Sequence, residues 1–175
     1  GNGAQTLVNR ALSGQRTIDA NLAESLASEA LDIFLAFYAQ NLCVATVTYP
    51  NVSSTLKALK AKGYRLAIVT NKPYEFVGPI LDGLGLDGLF ELILGGDSLP
   101  QKKPDPAPLL HVCKTLDIHT DHCVMVGDSK NDLLAAKASG MQSVGVTYGY
   151  NYGEEIGIYN PTFIIDDFSE LLELL

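Results

Sequence analysis

Hydrophobic residues in the first part of the chain recur at helical spacing. Leu7, Val8, Ala11 and Leu12 fall on one face of a helix. A longer segment, opening at Ile18-Asp19, repeats apolar residues every three or four positions: Leu22, Leu26, Ala30, Ile33, Phe34 and Phe37. No alternation typical of a strand interrupts this pattern, so residues 1–48 are predicted to form an all-helical region.

After a break at Tyr49-Pro50-Asn51, helical segments alternate with short apolar runs. The predicted strands are Arg65–Thr70, Leu92–Leu94, Cys123–Val126, Ser143–Val146 and Phe163–Ile165. The predicted helices are Ser53–Lys62, Pro73–Leu84, Ala107–Leu116, Asn131–Ser139 and Phe168–Leu175. This alternation indicates βαβ units, so residues 49–175 are predicted to form an α/β core around a Rossmann-like parallel sheet.

Two carboxylates follow one of these apolar runs. Val124-Met125-Val126-Gly127 leads directly into Asp128, and Asp132 follows four positions later. Ligands in open α/β sheets bind beyond the carboxyl ends of the strands, and carboxylate oxygens suit Mg²⁺. Asp128 is therefore a candidate metal ligand. A structural alternative is that Ser129 and Asp132 form the capping box of the next helix.

Other polar groups are expected at the same edge of the sheet. Thr70-Asn71 ends the first predicted strand of the core, and Lys103 lies in the loop Gln101-Lys102-Lys103-Pro104. A hydroxyl and an amide can donate to phosphate oxygens, and a lysine supplies positive charge, as phosphoryl transfer requires. Taken singly, Thr70 and Asn71 could be turn residues and Lys103 a solvated loop residue.

Composition excludes several classes of protein. The 175 residues carry a net charge of −8 and no basic cluster, which argues against a nucleic-acid partner. No stretch has the length and polarity of a membrane span. Cys43, Cys113 and Cys123 lack ligand-like spacing, which favours free thiols in a cytoplasmic protein. The oligomeric state is left open as monomer or homodimer.

The motif set resembles that of the haloacid-dehalogenase superfamily of phosphatases, and within it the phosphoglycolate phosphatases. Residues 66–73 are similar to the superfamily's second motif, residues 102–106 to its third and residues 126–132 to its fourth. Residues 144–151 and the opening Gly1-Asn2-Gly3 resemble stretches of the phosphoglycolate-specific branch.

The resemblance implies a Mg²⁺-dependent phosphatase acting on a small phosphorylated metabolite, with 2-phosphoglycolate the best candidate, through an aspartyl-phosphate intermediate. It implies that Asp128 binds Mg²⁺, that Thr70 and Asn71 hold the phosphoryl group, and that Lys103 balances its charge. Asp132 would orient Lys103 or a water on the metal. Residues 1–48 would be a cap that closes over the substrate.

One departure from the superfamily is expected to matter. Its nucleophile and general acid/base are two aspartates of an Asp-x-Asp-Gly-Thr motif that closes the first, central strand, and these 175 residues contain no such motif. We therefore expect the core to be incomplete at its N-terminal side, with a gap in the sheet, and the chain alone to be inactive. The alternatives are another sugar-phosphate or nucleotide phosphatase or mutase of the superfamily, or a non-catalytic phosphate-binding protein if the chain is complete.

Overall fold

The computed structural model of the chain describes residues 2–175. The helices of this range are α1 (Ala4–Ser13), α2 (Glu24–Ala39), α3 (Val52–Ala61), α4 (Val77–Gly83), α5 (Ala107–Leu116), α6 (Lys130–Ser139) and α7 (Leu171–Leu174). Its strands are β1 (Ala67–Val69), β2 (Leu92–Leu94), β3 (Val124–Gly127), β4 (Gln142–Val146) and β5 (Phe163–Ile165). The predicted α/β class with a helical N-terminal region is confirmed.

The strands form two parallel sheets. β1 pairs with β2, and β3, β4 and β5 pair in that order. β4, which has a partner on each side, is buried over its last four residues, whereas β1 and β3 are only half-buried throughout. A cavity of about 680 Å³, lined by residues of both strands, lies between β1 and β3. The expected gap in the sheet is found at this place.

Helices cover both faces of this arrangement. Leu59 of α3 and Leu171 of α7 pack against Val144 and Ile165 on one side. On the other side Leu109 of α5 packs with Ala135 and Ala136 of α6, against which Val69 and Met125 also lie. The cluster formed by α5 and α6 therefore contacts a strand of each sheet, β1 through Val69 and β3 through Met125.

Several predicted boundaries differ from the structure. The helix predicted over Pro73–Leu84 is a 3₁₀ turn, Tyr74–Phe76, followed by α4, and the helix predicted over Phe168–Leu175 begins with a 3₁₀ turn at Phe168–Glu170. The helix predicted from Ile18 begins only at Glu24, because Asp19 instead accepts a hydrogen bond from the Asn21 backbone N–H (2.8 Å) and holds a turn.

The cysteines are free, as predicted. Cys113 is buried on α5, and its Sγ lies 3.5 Å from Sγ of Cys123. Burial, followed by the hydrogen bond with Cys123, raises the pKa of the Cys113 thiol to about 11. Cys113 therefore stays protonated at neutral pH and packs as a small apolar residue. In the described range no helix is long and apolar enough to cross a membrane.

Candidate active site

The candidate residues converge on one cavity of about 790 Å³. Thr70, Asn71, Lys103, Asp128 and Asp132 all line it, at the carboxyl ends of β1 and β3. The opposite wall comes from α1, α2 and the loop that follows β4. The structure thus brings together every residue that the sequence analysis selected for the site.

Lys103 and Asp132 form a buried ion pair at the base of the cavity. Lys103 Nζ lies 2.5 Å from Asp132 Oδ1, and the two side chains are 7% and 8% exposed. Lys103 Nζ also donates to the Val69 carbonyl at the end of β1. An ammonium group has three donors, so one N–H remains for a ligand. The alternative of a solvated loop lysine is therefore wrong.

Asp132 combines the predicted site position with the capping role. Its Oδ2 accepts hydrogen bonds from the Ser129 backbone N–H (3.1 Å) and the Ser129 hydroxyl (2.7 Å), which completes a capping box at the start of α6. Its Oδ1 faces Lys103. The two interpretations are thus compatible, since the cap fixes the carboxylate that in turn fixes the lysine.

Gly127 makes room for this arrangement. A Cβ at position 127 would lie 2.3 Å from the Asp132 Cβ, so only glycine lets α6 start this close to the end of β3. The glycine that ends the apolar run of β3 is therefore a packing requirement of the ion pair.

The loop that follows β4 contacts Asp128 and fixes its side chain. Its Oδ2 accepts a hydrogen bond from the Tyr150 backbone N–H (2.9 Å). Gly149, with φ +106, passes so close that a Cβ there would lie 2.5 Å from the same oxygen. These contacts fix one carboxylate oxygen and direct the Asp128 side chain toward the cavity that it lines.

Thr70 and Asn71 have structural bonds as well as a place in the cavity wall. The Thr70 hydroxyl accepts a hydrogen bond from the Lys72 backbone N–H (3.1 Å), which leaves its own proton free to donate. The Asn71 side-chain amide donates to the Lys103 carbonyl (2.8 Å) and so ties the Lys103 loop to the end of β1.

The sequence analysis did not select the residues of the opposite wall. Arg10, Tyr38 and Tyr152 line the cavity, and the Arg10 guanidinium carbon lies 5.2 Å from the centre of the Tyr152 ring. Tyr38 accepts a hydrogen bond from Lys72 Nζ. These side chains come from segments far apart in sequence, so no local motif marks them as a group.

The apolar face of α1 is only partly buried. Val8 is buried, but Leu7 and Leu12 are 56% and 40% exposed. Leu7 and Ala11 line the cavity. This face therefore closes a binding space instead of packing into a core.

Comparison with known proteins identifies the family. Residues 1–140 match the model of the haloacid dehalogenase-like hydrolases. The phosphoglycolate phosphatase of Colwellia psychrerythraea is 58% identical over 172 residues, covering 98% of this chain and 76% of the relative. The chain belongs to the haloacid dehalogenase-like hydrolases. The match confirms the superfamily that the motifs of residues 66–132 indicate.

Other relatives agree. The phosphoglycolate phosphatase of Psychrobacter arcticus is 50% identical and covers the whole chain, which spans 76% of that relative. The crystal structure of a predicted phosphoglycolate phosphatase from Haemophilus somnus superposes with a TM-score of 0.88 at 42% identity, covering 99% of this chain and 78% of that one. These relatives confirm the predicted enzyme class, a phosphatase acting on a small phosphorylated compound.

Proposed function

We propose that this hydrolase cleaves the phosphate ester of 2-phosphoglycolate with the help of Mg²⁺. The observation that carries the proposal is the buried Lys103, which bonds the end of β1 and the start of α6 at the base of a cavity that Thr70 and Asp128 also line. A fixed positive charge beside a hydroxyl donor provides the charge stabilisation that phosphoryl transfer needs.

Each residue has a distinct part in this proposal. The Thr70 hydroxyl and the Asn71 amide bind oxygens of the phosphoryl group, and the remaining N–H of Lys103 balances its charge. Asp132 orients Lys103 through the bond between its Oδ1 and Nζ. α1 and α2 cover the cavity as a cap and exclude water from the ester, which strengthens these electrostatic interactions.

Asp128 fits a Mg²⁺ site as a single carboxylate ligand. Among residues 2–175, only its Oδ2 accepts a hydrogen bond, from the Tyr150 N–H, while Asp132 bonds Lys103 and Ser129. Within residues 2–175 no group of three His, Cys, Asp or Glu side chains could hold a metal. Mg²⁺ commonly binds one or two carboxylates and takes its other ligands from water and substrate phosphate. When bound, it would neutralise phosphate charge.

The nucleophile is not assigned to this chain. The family resemblance implies an aspartyl-phosphate intermediate on an Asp-x-Asp-Gly-Thr motif, which the 175 residues do not contain. Both carboxylates of the cavity, Asp128 and Asp132, have other roles here. The residues of this chain therefore bind, orient and neutralise the phosphoryl group.

A chimera tests the proposal. We would place a segment carrying an Asp-x-Asp-Gly-Thr motif ahead of residue 1 and measure Mg²⁺-dependent release of phosphate. 2-Phosphoglycolate is expected to be the best substrate of a panel that includes glucose 6-phosphate, a nucleoside monophosphate and p-nitrophenyl phosphate. The unmodified 175-residue chain is expected to release none.

The outcomes separate the alternatives. A preference for sugar phosphate or nucleotide would replace 2-phosphoglycolate with another substrate of the same superfamily. An inactive chimera that still binds phosphate would favour a non-catalytic binding protein. Mg²⁺-dependent turnover by the unmodified chain would overturn the assignment of the chemistry, because a nucleophile would then exist among residues 1–175.

A further inference from the structure

The candidate cavity carries more positive than negative charge. Four cationic side chains line it, Arg10, Arg16, Lys72 and Lys103, against the two carboxylates Asp128 and Asp132. Lys103 is already paired with Asp132. An excess of positive charge in one cavity of a protein with net charge −8 favours an anionic ligand. Beyond the phosphoryl position at Lys103, cationic groups remain on the helical side.

Arg10 is the cation that α1 directs toward the core. It lies in the last turn of the helix, and helical side chains slant back toward the N-terminus of their helix. That end of α1 touches the core, since a Cβ at Gly3 would lie 3.3 Å from the Asn71 carbonyl oxygen. The Arg10 guanidinium reaches Tyr152, in the loop that follows β4. Arg10 therefore spans the space between α1 and the core edge.

The hydrogen-bonding groups of Arg10 are largely unused. Its Nε is buried and has no hydrogen-bond partner among residues 2–175, and no carboxylate of that range forms an ion pair with it. The two terminal nitrogens lie 3.3 Å from the Asn2 side-chain oxygen when that amide takes the orientation facing them. A guanidinium is a rigid fork of donors that matches a carboxylate. The unused donors indicate where a planar anion binds.

The other cations of the cavity suit this role less well. Lys72 Nζ donates to the Tyr38 hydroxyl and lies 4.6 Å from the centre of that ring. Arg16 is exposed, and its charge acts on Glu154. Lys103 is already paired with Asp132 and donates to the Val69 carbonyl. Arg10 alone among these four combines a buried, unpartnered donor with a position in the cavity wall.

We propose that Arg10 determines specificity by binding the carboxylate group of the substrate, while Thr70 and Lys103 hold its phosphoryl group. The inference rests on 2-phosphoglycolate as the proposed substrate, whose two anionic groups are joined by one methylene. Arg10 touches no reacting atom in this assignment. It selects a carboxylate-bearing phosphate ester over one with an uncharged end.

Ligand affinity of the 175-residue chain tests the assignment without relying on turnover. Calorimetric titration in Mg²⁺ would compare 2-phosphoglycolate with ethyl phosphate, which replaces the carboxylate by a methyl group. The wild-type chain is expected to bind 2-phosphoglycolate at least tenfold more tightly. Arg10→Met is expected to lose about 10- to 100-fold of affinity for 2-phosphoglycolate and little for ethyl phosphate, because a charge-assisted pair is lost. Arg10→Lys should keep part of the preference.

Arg16→Met is the matched control, since it removes the same charge from an exposed position of the same cavity. It should change both affinities by similar, small factors. Arg10→Met with an undiminished preference would overturn the role of Arg10 while leaving the phosphatase proposal intact. A wild-type chain that shows no preference, or that binds neither compound, would overturn the inference, and the chimera would then show separately whether 2-phosphoglycolate is a substrate.

Discussion

The two helices before residue 40 and the α/β core differ sharply in packing. α1 and α2 bury only Val8 and Ala27 between them, although they span 26 residues. α6, with ten residues, buries five, and two of these, Asn131 and Asp132, are polar. The core thus holds its polar residues in a fixed, dry environment, whereas the N-terminal helices lie over the cavity with few buried contacts.

This difference separates two tasks that an active site must combine. Groups that act on charge need fixed positions, and here they come from strand ends and the capped N-terminus of α6. A cap that admits substrate and excludes water needs less buried surface, because it must move at low cost. The comparison predicts that substitutions at the core edge affect stability and chemistry, and that substitutions in α1 and α2 affect substrate choice.

The largest effect on stability is expected from breaking the buried pair. Asp132→Ala leaves Lys103 buried without a counter-charge and removes the acceptor of the Ser129 cap. We expect the free energy of unfolding to fall by about 3–5 kcal/mol. Urea denaturation followed by circular dichroism would measure it.

The exposed pair Lys130–Glu154 is the control for this prediction. Its charged atoms lie 3.5 Å apart, and its side chains are 36% and 39% exposed. Glu154→Ala is expected to lower the free energy of unfolding much less than Asp132→Ala does, since solvent screens such exposed pairs. Equal losses of unfolding free energy in Asp132→Ala and Glu154→Ala would contradict the conclusion that the buried pair at the core edge stabilises the fold more than an exposed pair does.

The next largest effect is expected on the activity of the chimera, at the residues proposed to bind the phosphoryl group and Mg²⁺. Thr70→Ala removes one hydrogen bond to a charged oxygen, worth roughly 1.5–3 kcal/mol or about 10- to 150-fold in rate. Asp128→Asn is expected to cost more and to raise the Mg²⁺ concentration at half-maximal activity, because it removes a full charge from the cation site. Thr70→Ser keeps the hydroxyl and should stay close to wild type. An unchanged Mg²⁺ midpoint in Asp128→Asn would remove Asp128 from the metal site.

The site residues of the α/β core can be predicted from the sequence, whereas those of α1 and α2 cannot. Thr70 and Asp128 are predictable because each comes at the end of a short apolar run, and parallel strands bring their carboxyl ends to one edge. Lys103 is predictable because it lies in a loop that follows another such run, Leu92–Leu94. Arg10, Tyr38 and Tyr152 are not, since their meeting depends on how α1 and α2 lie over the core. The local pattern of α1 places Leu7 and Val8 on one face, but it does not separate a residue that packs from one that lines a cavity: Val8 is buried and Leu7 is 56% exposed.

The division into a cap over residues 1–48 and a core over residues 49–175 remains a prediction, and an exchange tests it. In the chimera, residues 4–46 would be replaced by the corresponding segment of a sugar-phosphate phosphatase of the same superfamily. We expect the ratio of kcat/KM for 2-phosphoglycolate to that for a sugar phosphate to fall about tenfold or more, equivalent to about 1.4 kcal/mol. An unchanged ranking of substrates would show that the core selects the substrate.

A local effect is expected at Gly149. Its φ of +106 disfavours any side chain, and a Cβ would press on the Asp128 Oδ2. Gly149→Ala should lower the free energy of unfolding by about 1–2 kcal/mol. In the chimera it should also raise the Mg²⁺ concentration at half-maximal activity, because Asp128 must move. Gly153 in the same loop is the matched control, with φ +79 and open space around its Cβ position. Gly153→Ala should show a comparable strain cost with an unaltered Mg²⁺ midpoint. If both alanines left the midpoint unaltered, the approach of Gly149 to Asp128 would be a packing contact without influence on the metal site, and the loop after β4 would not belong to the fixed region of the active site.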